Sequence, residues 1–147
     1  MLLLSIHPRH VQSILAGAKQ VELRRLKPSM ASGTALIYAT MPQMELVASF
    51  QIESVYRKPL DGLWRSVRNV AGVTRDEFDC YFDGLDAGVA IQIGTVTKFA
   101  KPVSLDKLRA AWAGFHPPQG FRYITDADLA KLDMPKLRTK STSAAAA

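Results

Sequence analysis

Apolar and polar positions change period several times along the chain, and each change marks an element. Residues 2 to 6, LLLSI, form a short apolar run that predicts a buried strand. Pro8 suits a first helical turn, Val11, Ile14 and Leu15 recur at helical spacing, and Gly17 is placed to cap the end, so a helix is expected from about 8 to 16. From Lys19 to Leu26 the pattern alternates, Val21 and Leu23 pointing one way and Gln20, Glu22 and Arg24 the other, as in a strand. TALIYAT and LVASFQIESVY, parted by Met41-Pro42-Gln43, predict two strands that pair. LDGLWRSV predicts a short helix with Leu60, Leu63, Trp64 and Val67 on one face. Thr74-Arg75-Asp76-Glu77 has the spacing of a capping box, where hydroxyl and carboxylate satisfy orphan amides at a helix start, and Phe78, Tyr81 and Phe82 supply its buried stripe. GVAIQIGTVTKF predicts a long strand with Gly94 at a bulge or close approach. Ser104 caps a further helix, from about 105 to 112. HPPQGFRYI returns as a final strand, since its prolines forbid a helix, and TDADLAKL reads as a last short helix.

Strands with short helices between them, without regular alternation of strand and long helix, argue for an α+β fold. A small, mixed, partly closed β-barrel with short helices at its rim would protect the strand edges. The 147 residues fit a single domain. It is expected over residues 1–132, followed by a basic, low-complexity tail over 133–147 that has nothing to bury.

Composition narrows the class without naming it. Apolar residues at 48% and charged residues at 22% match ordinary globular proteins, which argues against disorder and a membrane class. MLLLSI is too short for a signal peptide's apolar region, and no stretch reaches the roughly 20 apolar residues that span a bilayer. One cysteine, Cys80, rules out an internal disulfide and a cysteine cage for zinc, and among aromatics it is expected to be a small buried thiol. A cytoplasmic location is expected. The net charge of +6 points to a polyanionic partner. Half of it lies in residues 131 to 147, where Lys131, Lys136, Arg138 and Lys140 stand against Asp133.

The stretch GAKQVELRR, residues 17 to 25, is a helix exit feeding a strand, and it concentrates charge. With SIHP in the opening strand, LIYAT ending at a proline, VASFQI and a distant HPPQGFRY, it resembles the ASCH domain family of the PUA-like superfamily, whose G-x-K-x-x-E-x-R pattern it follows. The resemblance spans residues 2 to about 124 in order. It implies a PUA-like barrel with a cleft beside the first helix and an association with RNA or modified nucleobases. Some small relatives are amidohydrolases acting on N4-acetylcytidine through a lysine, a threonine three residues later and a distant glutamate. Lys19 matches the lysine, Glu22 stands in the threonine's place, and no acid is assigned within RNVAGVTRDEF. A threonine attacks through its hydroxyl, whereas a carboxylate acts as a base, so this departure bears on the reaction. Members with a lysine and a glutamate are also linked to RNA cleavage, which leaves Lys19 and Glu22 as a catalytic pair if the protein is an enzyme.

On their own chemistry, strict alternation puts Lys19 and Glu22 on opposite faces, but near a helix-to-strand turn the lysine stem can swing into the same cleft. The bland reading is a solvated strand face with an ion pair worth at most about 1 kcal/mol. The functional reading is a ligand or nucleic-acid site of His7, Lys19, Glu22, Arg24, Arg25, Tyr38, Thr40, Gln119, Arg122 and Tyr123. Arginine forks suit phosphate, acidic and amide groups read base edges, and arginine and tyrosine stack on bases. Arg24 and Arg25 are adjacent, so they face opposite sides and one of them is structural. His7 and His10 lie i, i+3 about a helix start without a nearby thiol or carboxylate, so no metal is expected, and no cofactor. Trp64 and Trp112 belong to apolar helix faces. RNA or a nucleotide-like ligand is the expected partner, no membrane is expected, and a monomer is. A rival class is a protein-binding regulatory module using the tail as a tether.

Overall fold

The computed structural model of the protein describes residues 1–132 and Met134. The expected tail, 133–147, lies outside the described residues apart from Met134, which packs against the core. A mixed α+β architecture results, a six-stranded curled half-barrel with short helices. The chain runs β1 (Leu2–Ile6), α1 (Pro8–Leu15), β2 (Val21–Arg24), β3 (Gly33–Ala39), β4 (Glu45–Pro59), α2 (Leu60–Val67), α3 (Arg75–Tyr81), β5 (Ala87–Ser104), α4 (Leu105–Ala111), β6 (Phe121–Tyr123) and α5 (Asp126–Ala130). The sheet order is β2-β5-β4-β3-β1-β6, with β1 parallel to β3 and every other neighbour antiparallel. After β1 the chain crosses through α1 to β2 at the far end of the sheet, then returns to lay β3 beside β1.

Alternation in the strands sorts the core into separate clusters. Leu2, Leu4 and Ile6 of β1 face Val11 and Ile14 of α1, Ile37 of β3, Phe50 of β4 and Ile91 of β5. Leu3 points the other way, joining Leu36, Leu46, Leu108, Trp112, Phe115 and Ile124. A third cluster joins Val21 and Leu23 of β2 to Leu63 and Val67 of α2 and to Phe78 and Phe82 beside α3. Each fully buried Leu, Ile or Phe contributes about 1.5–3 kcal/mol, far more than an exposed ion pair, so these clusters set where the helices lie.

Local signals act where the sequence places them. Gly17 takes φ +82° just past α1, where a residue with a Cβ is strained. Thr74 accepts from the Glu77 amide while the Glu77 carboxylate accepts from the Thr74 amide, closing both halves of the capping box. At Gly94 a Cβ would lie 2.8 Å from the Glu53 side chain, and the β4–β5 register shifts there between Phe50 and Ile52, opposite Val96 and Ile93.

Three expectations change. The strands expected over 46–56 and 88–99 run to 15 and 18 residues, because Arg57-Lys58-Pro59 continues one end of β4 and Lys101-Pro102 the far end of β5, both exposed. Backbone pairing to Val89, Gly88 and Ala87 sustains Arg57-Lys58-Pro59 where side-chain burial does not. Cys80 is exposed rather than buried, and Tyr81, expected in the buried stripe of α3, is 40% exposed. In α3 the i, i+4 pair Phe78 and Phe82 turns inward, and Cys80, two residues from either, falls on the outer face. Among the described residues no helix is long and apolar enough to cross a membrane.

Candidate functional site

Curling brings the two ends of the sheet towards each other, yet among the described residues no backbone ladder joins β2 to β6. Arg24 bridges them instead. Its Nη1 donates to the carbonyl of Gly120, just before β6 (2.8 Å), and its Nη2 to the carbonyl of Ser5 in β1 (2.9 Å) and to Glu22 Oε1 (2.9 Å). A seam closed by one side chain leaves a hollow beside it. This cleft, of about 370 Å³, is lined from β1, α1, β2 and α3 by residues including Ser5, His7, His10, Lys19, Glu22 and Arg24, with Glu77, Tyr81 and Gln119 at its margin.

Lys19 enters the cleft because it precedes the strand. Its amide still donates to Ser13 of α1 (3.0 Å), so alternation does not yet govern its direction. The loop after α2 then locks it. Gln20 donates its amide to Val70 (2.7 Å), Lys19 Nζ donates to the Ala71 carbonyl (2.5 Å), and the lysine stem lies against Gly72, where an added Cβ would sit 3.4 Å from Lys19 Cβ. Nζ ends 3.9 Å from Glu22 Oε2. Lys19, Glu22 and Arg24 are 3%, 7% and 7% exposed, so two cations and one carboxylate share a largely dry site. Burial pushes the Lys19 ammonium below its usual range, Arg24 and Arg9 push the same way, and Glu22 opposes them.

Hydrogen bonding in the cleft is incomplete. Ser5 Oγ, His10 Nδ1, Glu22 Oε2 and Arg24 Nε are buried without a hydrogen-bond partner among the described residues, and all four belong to residues lining the cleft. An unsatisfied buried polar atom costs about 1–3 kcal/mol, so such a cluster marks where a polar ligand or solvent belongs. Burial, then Lys19 and Arg9, lower the His10 pKa from 6.5, which keeps its ring neutral at pH 7. At the rim Arg9 of α1 pairs with Glu77 of α3, and this bond, with the Thr74 amide, holds the Glu77 carboxyl down to about 2. His7 caps α1, its Nδ1 accepting from the Arg9 amide (3.2 Å). Among the described residues no three His, Cys, Asp or Glu side chains gather as a metal-ligand set.

The residues singled out by sequence therefore divide. His7, Lys19, Glu22, Arg24 and Gln119 meet in the cleft. Arg25 does not: in the bend just past β2, it donates to the carbonyls of Tyr81 (2.7 Å) and Asp83 (3.1 Å) and lines a neighbouring hollow. Tyr38 is 2% exposed and belongs to the core on the other face of the sheet. Thr40 lies in the turn after β3, where its carbonyl accepts from Gln43 and Met44, away from the cleft lining. Alternation in β6 sends Arg122 over Trp112 and Phe115, at 5.9 and 5.4 Å from their ring centroids, and Tyr123 to Ser29, whose amide donates to its hydroxyl (2.8 Å). Ser5, His10, Glu77 and Tyr81 line the cleft without having been read as its residues. For His10 a signal existed, since it lies i+3 from His7 on the same helix; for Glu77 the capping box had already accounted for the carboxylate.

Comparison with known proteins gives this geometry relatives. The ASCH domain model matches residues 4–116. The ASCH domain-containing ribonuclease of Zymomonas mobilis is 28% identical over 130 residues, 88% of this chain and 87% of that protein. Large ribosomal subunit protein uL22 of Ureaplasma parvum is 24% identical over 124 residues, 84% of this chain, which spans only 39% of that protein. The crystal structure of ASCH from Zymomonas mobilis is similar at a TM-score of 0.83 and 26% identity, covering 88% of this chain and 91% of that one.

Proposed function

Because this chain belongs to the ASCH domain family, we propose that its cleft binds RNA, taking one nucleotide between β2 and the loop before β6. Lys19 and Arg24 attract the phosphate, while Glu22 and Gln119 read the base, the carboxylate accepting from an exocyclic amino group. The observation that carries this reading is the convergence of four unpartnered buried polar atoms beside a net positive charge. Glu22 Oε2 and His10 Nδ1 accept, Arg24 Nε donates and Ser5 Oγ does either, a mixed set suited to a base edge and a phosphate together. A volume of about 370 Å³ lies within the range of small-molecule sites. The two relatives whose names point to RNA, a ribonuclease and a ribosomal protein, lend support.

Titrating fluorescent single-stranded RNA against salt tests it. Lys19→Ala should weaken binding and flatten the salt dependence by about one unit of slope, as expected when one phosphate-neutralising cation is removed. Equal affinity and equal slope would overturn the reading.

Hydrolysis is the second reading, favoured by a desolvated lysine 3.9 Å from a carboxylate and by the relative named a ribonuclease. Lys19, closer to neutrality than an exposed lysine, would donate a proton to a leaving oxygen or nitrogen, and Glu22 would take one from the attacking group. The substrate is either an RNA phosphodiester or an N4-acetylcytidine-like amide. Incubation with short RNAs and with N4-acetylcytidine separates the two. Turnover that persists in Glu22→Gln excludes this pair as the machinery.

A further inference from the structure

Beside the cleft lies a second hollow of about 700 Å³, and the two share a wall made by Arg24, Tyr81 and Gln119. Their linings differ in kind. Where the cleft gathers buried charge, the second hollow is walled by Leu26, Tyr81, Leu85, Pro118 and Phe121. Leu26 is 73% exposed and Tyr81 40%, unusual for large apolar side chains that have a core to enter. Neither is idle filler of the fold. Leu26 follows β2 directly, so the same strand that delivers Glu22 and Arg24 to the cleft delivers an apolar side chain to its neighbour.

Charge at this place is one-sided. Arg24 and Arg25 both line the second hollow, and among the described residues no carboxylate joins them there. Arg25 is held by the carbonyls of Tyr81 and Asp83, which fixes its guanidinium against the hollow's α3 side. Arg24, more than nine-tenths buried on the shared wall, keeps Nε without a partner among the described residues. A flat apolar group carrying negative charge at one end suits such a place, and an RNA strand leaving the cleft carries one: its next base, joined through a phosphate that must cross the shared wall.

We propose that this hollow holds the base adjacent to the one in the cleft, so that the smallest ligand the protein reads is a dinucleotide; this rests on the RNA-binding reading of the cleft. Tyr81 and Phe121 offer ring faces, Leu26 and Pro118 cover the base, and Arg24 with Arg25 neutralises the linking phosphate. Stacking of this kind tolerates any base, so the second position adds affinity with little sequence preference, while the first carries discrimination.

The experiment compares the four ribonucleoside 5′-monophosphates with 5′-phosphorylated ribodinucleotides, and with the same dinucleotides lacking either one base, by calorimetry on the full chain. Dinucleotides should bind roughly tenfold tighter than mononucleotides, and loss of one of the two bases should abolish that gain. Leu26→Glu, at a position exposed enough to spare the fold, should bring the ratio of dinucleotide to mononucleotide affinity towards one. Dinucleotides that bind no tighter, or abasic ones that keep the whole gain, would overturn the second subsite and leave the cleft reading standing. Absence of binding by mononucleotides and dinucleotides alike would remove the cleft reading, and this one with it.

Discussion

Two arginines each belong to a three-charge group, and the groups are built in opposite ways, one around the arginine and the other around a carboxylate. Arg75 on α3 donates to Asp61 and to Asp79, both at 3.0 Å, and lies over the rings of Trp64 and Phe78 at 5.7 and 5.9 Å. Its partners stand in water, which completes whatever the protein leaves unmade. Arg24 on β2 shares Glu22 with Lys19 behind a seam that excludes most solvent, and one oxygen and one nitrogen of the group stay unmatched. The first group decorates a helix; the second is held out of water by the fold around it. Such a group carries a standing preference for a ligand, because a buried charge gains most from a partner it does not yet have.

The largest expected effect follows from removing the shared carboxylate. Glu22→Gln should destabilise the protein by about 3–5 kcal/mol in denaturant unfolding, since two buried cations then face each other unpaired. Asp61→Asn in the exposed group should leave the denaturant midpoint within experimental scatter. Equal losses at the two sites would erase the distinction.

Arg24→Lys should come next. An ammonium cannot span the Gly120 and Ser5 carbonyls and Glu22 together, so a loss of about 1.5–3 kcal/mol is expected from the charged hydrogen bonds forgone. Hydrogen exchange at Phe121 to Tyr123 should quicken with it, as β6 loses its tie to β2.

Titration sharpens the comparison further. With the Lys19 pKa below 10.5 in the folded chain, the unfolded chain binds more protons between the folded value and 10.5. Stability should therefore rise with pH across that window, and Lys19→Met should flatten the rise. At the rim the slope has the same sign but lies at acid pH: Glu77, held at about 2 against 4.5, stabilises fully above pH 4.5, and that contribution fades as pH falls towards 2. Glu77→Gln should remove that acid-side slope in unfolding curves.

The smallest effect is salt. Raising ionic strength from about 0.1 to 1 M shortens the screening length from roughly 10 to 3 Å, which should weaken the exposed Arg75 group and hardly touch the buried one. A double-mutant cycle of Arg75→Ala with Asp61→Ala at both salts measures the first. The same cycle of Lys19→Met with Glu22→Gln measures the second.

Much of this arrangement is legible in the residues. The capping box at Thr74, the helix over LDGLWRSV, the glycine at the α1 exit and the β-bulge at Gly94 each follow from local rules, and each acts where the pattern puts it. Long-range matters were not legible. Tyr38 and Thr40 looked suited to a cleft because they close a strand, but β3 is an interior strand, so Tyr38 enters the core and Thr40 the turn beyond it. Arg122 has the chemistry of an RNA contact, yet it covers Trp112 and Phe115.

By itself, the sequence determined the family, the α+β class, the order of most elements, and the pairing of Glu22 with Arg24 on one strand face. Those depend on residues close together in the chain, where backbone propensity and side-chain period act directly. Tertiary structure alone decided that Arg24 closes the sheet's seam, that Lys19 turns into the same hollow as Glu22, and that Arg25 belongs to the adjoining one. Each depends on segments such as residues 70–72 and 118–121, far away in sequence, and on how much water remains between them. A charged side chain carries the same formula in solvent and in a dry cleft, and burial is a property of the packed chain.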